Sequence, residues 1–265
     1  MPKGPARLLA VAAGTAAVAL MTPAAHAATH AATPAAHPVR VSASVARHES
    51  HSLHHLGTTV NAGMTSGNWS GYAANGAAGS DTSVSSSWVQ PAVTCGDQDT
   101  YSSYWVGLDG FDNSALEQTG TEADCIGGQA EYGAWWEVLP AAESPYSVTV
   151  EPGDHLTASV TDNGDGTFNM TLSDSTQGWT KTTDHAGSSG YQNSSAEVIA
   201  EATSVGGSIA ALSNFGSVSF TGSTANGSPL AGDEITMQNS DSGDVMAQPG
   251  ANNGGNFGVT WENYN

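Results

Sequence analysis

Past residue 146 the chain alternates between apolar and polar positions. In "SVTVEPGDHLTASVTDNGDGTFNMTLSD", Val148 and Val150 form one set, Leu156, Ala158 and Val160 a second, and Phe168, Met170 and Leu172 a third. A period of two sends each set to one face of a strand. "DNGDG", between the last two sets, reads as a hairpin turn rather than a calcium loop, because the remaining EF-hand ligand spacing is missing. Similar short segments, divided by Gly, Asn, Asp and Ser, recur in "TSVSSSWVQ", "SSYWVGLD", "AEYGAWWEVL", "SAEVIAEAT", "SVSFTG" and "FGVTWENY". Helix signals are nearly absent. This spacing of strands predicts an all-β fold, an antiparallel β-sandwich. "SALEQTG" reads as the end of a short strand entering a turn, with Glu117 and Gln118 on opposite faces.

Charge divides the chain in two. Lys3, Arg7, Arg40 and Arg47 precede residue 50, and Lys181 is the only later Lys or Arg; of 25 Asp and Glu residues only Glu49 lies early. Seven of nine histidines lie at or before residue 55, leaving His155 and His185. Residues 1–27 have the charged start, the apolar run "LLAVAAGTAAVALM" and the "AHA" cleavage site of a signal peptide, which implies secretion to an extracellular location. The apolar run is short for a membrane span. Residues 28–65, rich in Ala, Pro, His and Ser, read either as a propeptide or as a disordered tail. Residues 66–265 suit one domain. Cys95 and Cys125, the only cysteines, are expected to pair as a disulfide around the "SALEQTG" stretch. An acidic, base-poor domain is not expected to seek nucleic acid or anionic membrane. With its carboxylates protonated, such a domain carries almost no positive charge, which suits an acidic medium.

The candidate chemistry narrows by residue type. His185, in "KTTDHAGSSG", reads as a loop residue and His155 as a strand-start surface residue; no Ser sits in a nucleophile elbow. Metal-ligand clusters are lacking, so neither metal nor organic cofactor is expected. Carboxylates on strand faces remain. Glu197, Ile199, Glu201 and Thr203 share one face of "SAEVIAEAT"; Trp135, Glu137 and Leu139 share one face of "GAWWEVLP". Glutamates interleaved with aromatics suit a groove for an extended polymer, whereas an ordinary solvated face explains Glu197 and Glu201 equally simply.

Five ordered fragments go further: "SGNWSGY", "YWVGLDG" with "LEQTG", "AWWEVLP", "AEVIAEA" and "LSNFGSVSFTG". Together, over residues 67–220, the chain resembles the glutamic peptidases (eqolisins, family G1), as a bacterial-type member. The resemblance implies a two-sheet β-sandwich of the concanavalin-like jelly-roll kind. It also implies a secreted, pepstatin-insensitive acid endopeptidase that needs no cofactor, made with its own propeptide, acting as a monomer on polypeptide substrates. It carries the catalytic pair onto Gln118 and Glu201, and supporting or substrate-lining roles onto Trp69, Trp105, Asp109, Trp135 and Glu137. Glu117 and Val198 depart from the family pattern, as do Ala202 and Thr203, where fungal members carry Asp and Phe. Two other readings remain: a jelly-roll glycosidase using Glu137 and Glu201, with the tryptophans stacking sugars, and a non-catalytic carbohydrate-binding sandwich. Neither gives Gln118 a role.

Overall fold

The computed structural model describes residues 63–265, with the backbone of two short strands at Ala46–Arg47 and His54–His55. The expected signal peptide, and the expected propeptide apart from those strands and its last three residues, lie outside the described residues. The strands used below are β1 (Met64–Ser66), β2 (Trp69–Asn75), β3 (Ser83–Val89), β4 (Ser103–Leu108), β5 (Glu117–Ile126), β6 (Gln129–Val138) and β7 (His155–Asp162). They continue with β8 (Thr167–Asp174), β9 (Trp179–Ala186), β10 (Ser195–Glu201), β11 (Ser217–Ala225), β12 (Asp233–Gln238), β13 (Val245–Pro249) and β14 (Phe257–Trp261).

Pairing resolves these strands into two antiparallel sheets. The front sheet runs β12–β2–β10–β4–β5–β6. The back sheet runs β14–β11–β3–β7–β8–β9. β13 pairs with both β12 and β14 and joins the sheets along one edge, while β1 lies parallel to β12. The alternation does what a period of two demands. Val106, Leu108, Ala196, Val198 and Ala200 of the front sheet meet Val84, Trp88, Val160, Phe168, Met170 and Phe220 of the back sheet in one core. The outer residues of β3, Ser83, Ser85 and Ser87, stay half-buried. A second apolar cluster, containing Trp69, Trp105, Leu116, Trp135 and Ile199, lies on the other face of the front sheet.

Several local expectations are corrected. Glu117 opens a ten-residue strand rather than ending one. The glycine that suggested a turn, Gly120, is a strand residue at a crowded place: a Cβ there would collide with the Tyr104 carbonyl oxygen and Trp105 Cβ. The Val148–Val150 alternation forms no strand. Pro145 and Pro152 bracket it, and proline has no N–H to donate to a ladder. His185 stands on a strand, β9, not in a loop. That strand is polar from Thr180 to His185 and gives no apolar alternation. Hydroxyl pairs across β8 and β9 support it instead, Thr171 with Thr182 at 3.1 Å and Ser173 with Thr180 at 3.0 Å. "DNGDG" is the expected turn, with Asp162 and Asp165 accepting the N–H groups of Gly164 and Thr167.

Candidate active site

Three rows of residues cross the outer face of the front sheet, set by register alone. One runs Glu137, Gln118, Gly107, Glu197; the next Trp135, Gly120, Trp105, Ile199; the third Glu122, Ser103, Glu201, Trp69. Gln118 on β5 and Glu201 on β10 therefore share a face, two strands apart, with Trp105 on the strand between. Gly107 leaves room for this arrangement. A Cβ there would stand 3.0 Å from the Trp105 ring and 3.2 Å from Gln118 Cβ.

Glu201 is fully buried, and its carboxylate is held by neutral donors. Asn68 Nδ2 donates to Oε1 at 2.9 Å and Trp105 Nε1 to Oε2 at 2.7 Å, with Ser103 Oγ at 3.5 Å from Oε2. Hydrogen bonds to the charged form favour ionisation against the cost of burial. Trp69 packs edge-on against Trp105, ring centroids 5.0 Å apart, which fixes the indole that donates. Gln118 donates Nε2 to Glu137 Oε2 at 2.7 Å, so one amide hydrogen is committed and the amide plane is oriented. Trp135 lies beside this pair in the second apolar cluster.

Asp109 is placed differently. It follows β4 at φ 68°, and its carboxylate accepts the N–H groups of Gln192, Asn193 and Ser194 at 2.7, 2.8 and 3.0 Å. It ties down the loop that leads into β10 and so acts at one remove from Glu201.

Two further buried carboxyls flank the pair, Glu197 and Glu117. All seven residues of β10 are buried, so Glu197 and Glu201 are not a solvated face. Burial, reinforced by Asp109, Asp81 and Glu117, pushes the Glu197 carboxyl well above the usual range. Glu117 lies on the opposite face of β5 from Gln118, as its parity requires, and burial pushes its carboxyl up to about 7. The Ser188 N–H, 2.6 Å from Oε1, works in the other direction.

Sequence reasoning passed over Asn68, Ser66 and Ser103. The first two lie inside the quoted "SGNWSGY", but nothing in a local pattern shows that Asn68 faces a glutamate 133 residues away. Thr203 Oγ1 lies 3.4 Å from Ser103 Oγ, beside Glu201. His185 is exposed, and its Nδ1 meets the carbonyl oxygen of Ala186. Among the described residues no group of three or more His, Cys, Asp or Glu side chains is arranged to hold a metal ion. Cys95 and Cys125 form the expected disulfide.

Comparison with known proteins agrees with this architecture. Aspergillopepsin-2 of Aspergillus niger is 31% identical over 141 residues, 51% of this chain and 50% of that protein. The chain thus spans about half the length of the curated relative it matches. The crystal structure of aspergilloglutamic peptidase from Aspergillus niger superposes with a TM-score of 0.55 at 28% identity, covering 62% of this chain and 99% of that one. Scytalido-glutamic peptidase, solved with a peptide-based transition state analog, shares the fold with a TM-score of 0.60 at 24% identity, covering 74% of this chain and 98% of that one. The model of the Peptidase A4 family matches residues 67–261, well past the last fragment legible by eye. The chain therefore belongs to the Peptidase A4 family, the glutamic peptidases or eqolisins.

Proposed function

We propose that this protein is a secreted, acid-active, pepstatin-insensitive endopeptidase that cleaves polypeptides with Gln118, Glu201 and one water molecule. The observation that carries the reading is the pair of held side chains on one sheet face. The carboxylate of Glu201 rests between Asn68 and Trp105, and the amide of Gln118 is oriented by Glu137. Ionised Glu201 accepts a proton from water as the water oxygen attacks the scissile carbonyl carbon. The second amide hydrogen of Gln118 serves the oxyanion of the tetrahedral intermediate. Glu201 then returns the proton to the amide nitrogen, the C–N bond breaks, and an acid and an amine leave. An amide donates at every pH, whereas a carboxyl in that place donates only when protonated.

Lys181 as the sole Lys or Arg past residue 47 supports work in acid. The leader-like residues 1–27 support secretion, and the basic, His-rich residues 28–65 suit a prosegment that covers an acidic domain. The departures at Ala202 and Thr203 support the bacterial-type assignment. The carbohydrate readings give Gln118 no role, whereas the peptidase reading uses its oriented amide.

The test is turnover of an acid-denatured protein with pepstatin present. Glu201→Gln should lower kcat by roughly 10²–10⁴-fold and Gln118→Ala by roughly 10²–10³-fold. Glu137→Gln should cost less than Glu201→Gln, whereas a glycosidase would lose everything there. Wild-type turnover by a folded Glu201→Gln protein overturns the assignment.

A further inference from the structure

We infer that Asn68, braced by Ser66, is a positioning residue for Glu201: its amide N–H fixes Oε1 and holds the carboxylate in the ionised form that accepts a proton from water. The inference rests on the proposed role of Glu201.

Three observations support it. First, Asn68 is bound to the end of β10 twice. Its Nδ2 reaches Glu201 at 2.9 Å, and its backbone carbonyl accepts the N–H of Ala202 at 2.9 Å. Asn68 and Glu201 are both fully buried, so the contact is not diluted by solvent.

Second, the direction of the amide is determined. Ser66 Oγ donates to Asn68 Oδ1 at 3.3 Å, and the same hydroxyl accepts the N–H groups of Asn68 and Trp69 at 3.3 and 3.1 Å. The amide oxygen is thereby occupied on the Ser66 side. A carboxylate only accepts, so the nitrogen must face Glu201.

Third, the carboxyls that share the sheet with Glu201 disfavour its charge. Glu122 shares its row on β5, Glu197 precedes it on the same face of β10, Glu137 lies beyond Gln118 on β6, and Asp233 stands in the Glu197 row on β12. Each one, when ionised, opposes a second negative charge. Asn68 supplies a neutral N–H donor on Oε1 that works against them.

The experiment is the pH dependence of kcat/KM for the wild type, Asn68→Leu, Ser66→Ala and Glu201→Gln, with folding checked by near-ultraviolet circular dichroism. Loss of a donor to a carboxylate should move the acid limb of the Asn68→Leu profile to higher pH by about one to two units. Ser66→Ala should move it the same way by less. An acid limb at the wild-type pH in folded Asn68→Leu, whatever its activity, overturns the inference and leaves Asn68 a packing role. Should Asn68→Leu not fold, Ser66→Ala decides by the same criterion. Full activity in Glu201→Gln would instead overturn the reading of Glu201 itself, so the two failures are distinguishable.

Discussion

Glu117 stands one residue from Gln118, at a position where the family resemblance calls for an apolar side chain. Its Oε1 accepts the Ser188 N–H, while its Oε2 is buried with no hydrogen-bond partner. Burial raises its carboxyl from the ordinary 4.5 to about 7. Between those two values the folded protein keeps a proton that the unfolded chain has released, so stability falls as pH rises through that window. Glu117→Leu removes this penalty and leaves the Ser188 N–H without its acceptor, a loss of about 1–3 kcal/mol. The variant should thus melt above the wild type at pH 8 and lose that advantage at pH 4, as read from thermal unfolding at both values. A gain that is equal at the two pH values would mean that the carboxyl does not titrate there. Alternation alone places Glu117 on the face away from Gln118; its burial follows from packing against Leu108, Val138 and the residues around Ser188.

At the scale of elements, β5 carries Gln118 near its start and Cys125 near its end. The Cys95–Cys125 bridge closes a separation of 30 residues and anchors that far end, where Thr100 and Cys125 also exchange backbone hydrogen bonds at 3.0 and 2.8 Å. Constraining an unfolded loop of this length contributes about 2–4 kcal/mol. Replacing both cysteines with serine should lower the unfolding free energy in guanidinium by that amount. KM should change little, because Gln118 is held at the other end of the strand by β4 and β6. A large KM effect would show that the bridge shapes the groove itself. Strands with apolar alternation, such as β3, β7 and β8, were legible in the sequence. β9 was not, because cross-strand hydroxyl pairs carry no apolar signature. β2 and β13 were also missed, since each is buried or paired in ways that leave no two-residue period, and β12 was missed although Ile235 and Met237 alternate with Thr236 and Gln238.

For the whole molecule, the distribution of charge determines how stability responds to acid. Past residue 50 one lysine faces 24 carboxylates, so protonation discharges the domain without leaving a strongly positive one. Glu117 and Glu197 add to the effect, because both are buried and both favour the neutral acid. Carboxyls raised in the folded state stabilise it fully below about pH 4.5, and the contribution of Glu117 is lost as pH climbs to about 7. The near-ultraviolet circular dichroism signal should therefore persist in acid, and the midpoint of thermal unfolding should be higher at pH 4 than at pH 8. Loss of the tertiary signal at mild acidity would contradict this account.

The sequence by itself determined the all-β class, the faces of the principal strands, the acidic, base-poor charge balance and the order of motifs that marks the family. These are local or compositional properties: a period of two, a count of bases, a string of residues read in order. Only the tertiary structure decided that Glu197 and Glu201 are buried, that Asp109 serves a loop, and that Asn68 and Trp105 hold one carboxylate. Those facts depend on β10 lying between β2 and β4, a pairing of segments more than a hundred residues apart from β2. Register across such distances is fixed by the packing of both faces of the sheet at once, which no window along the chain contains.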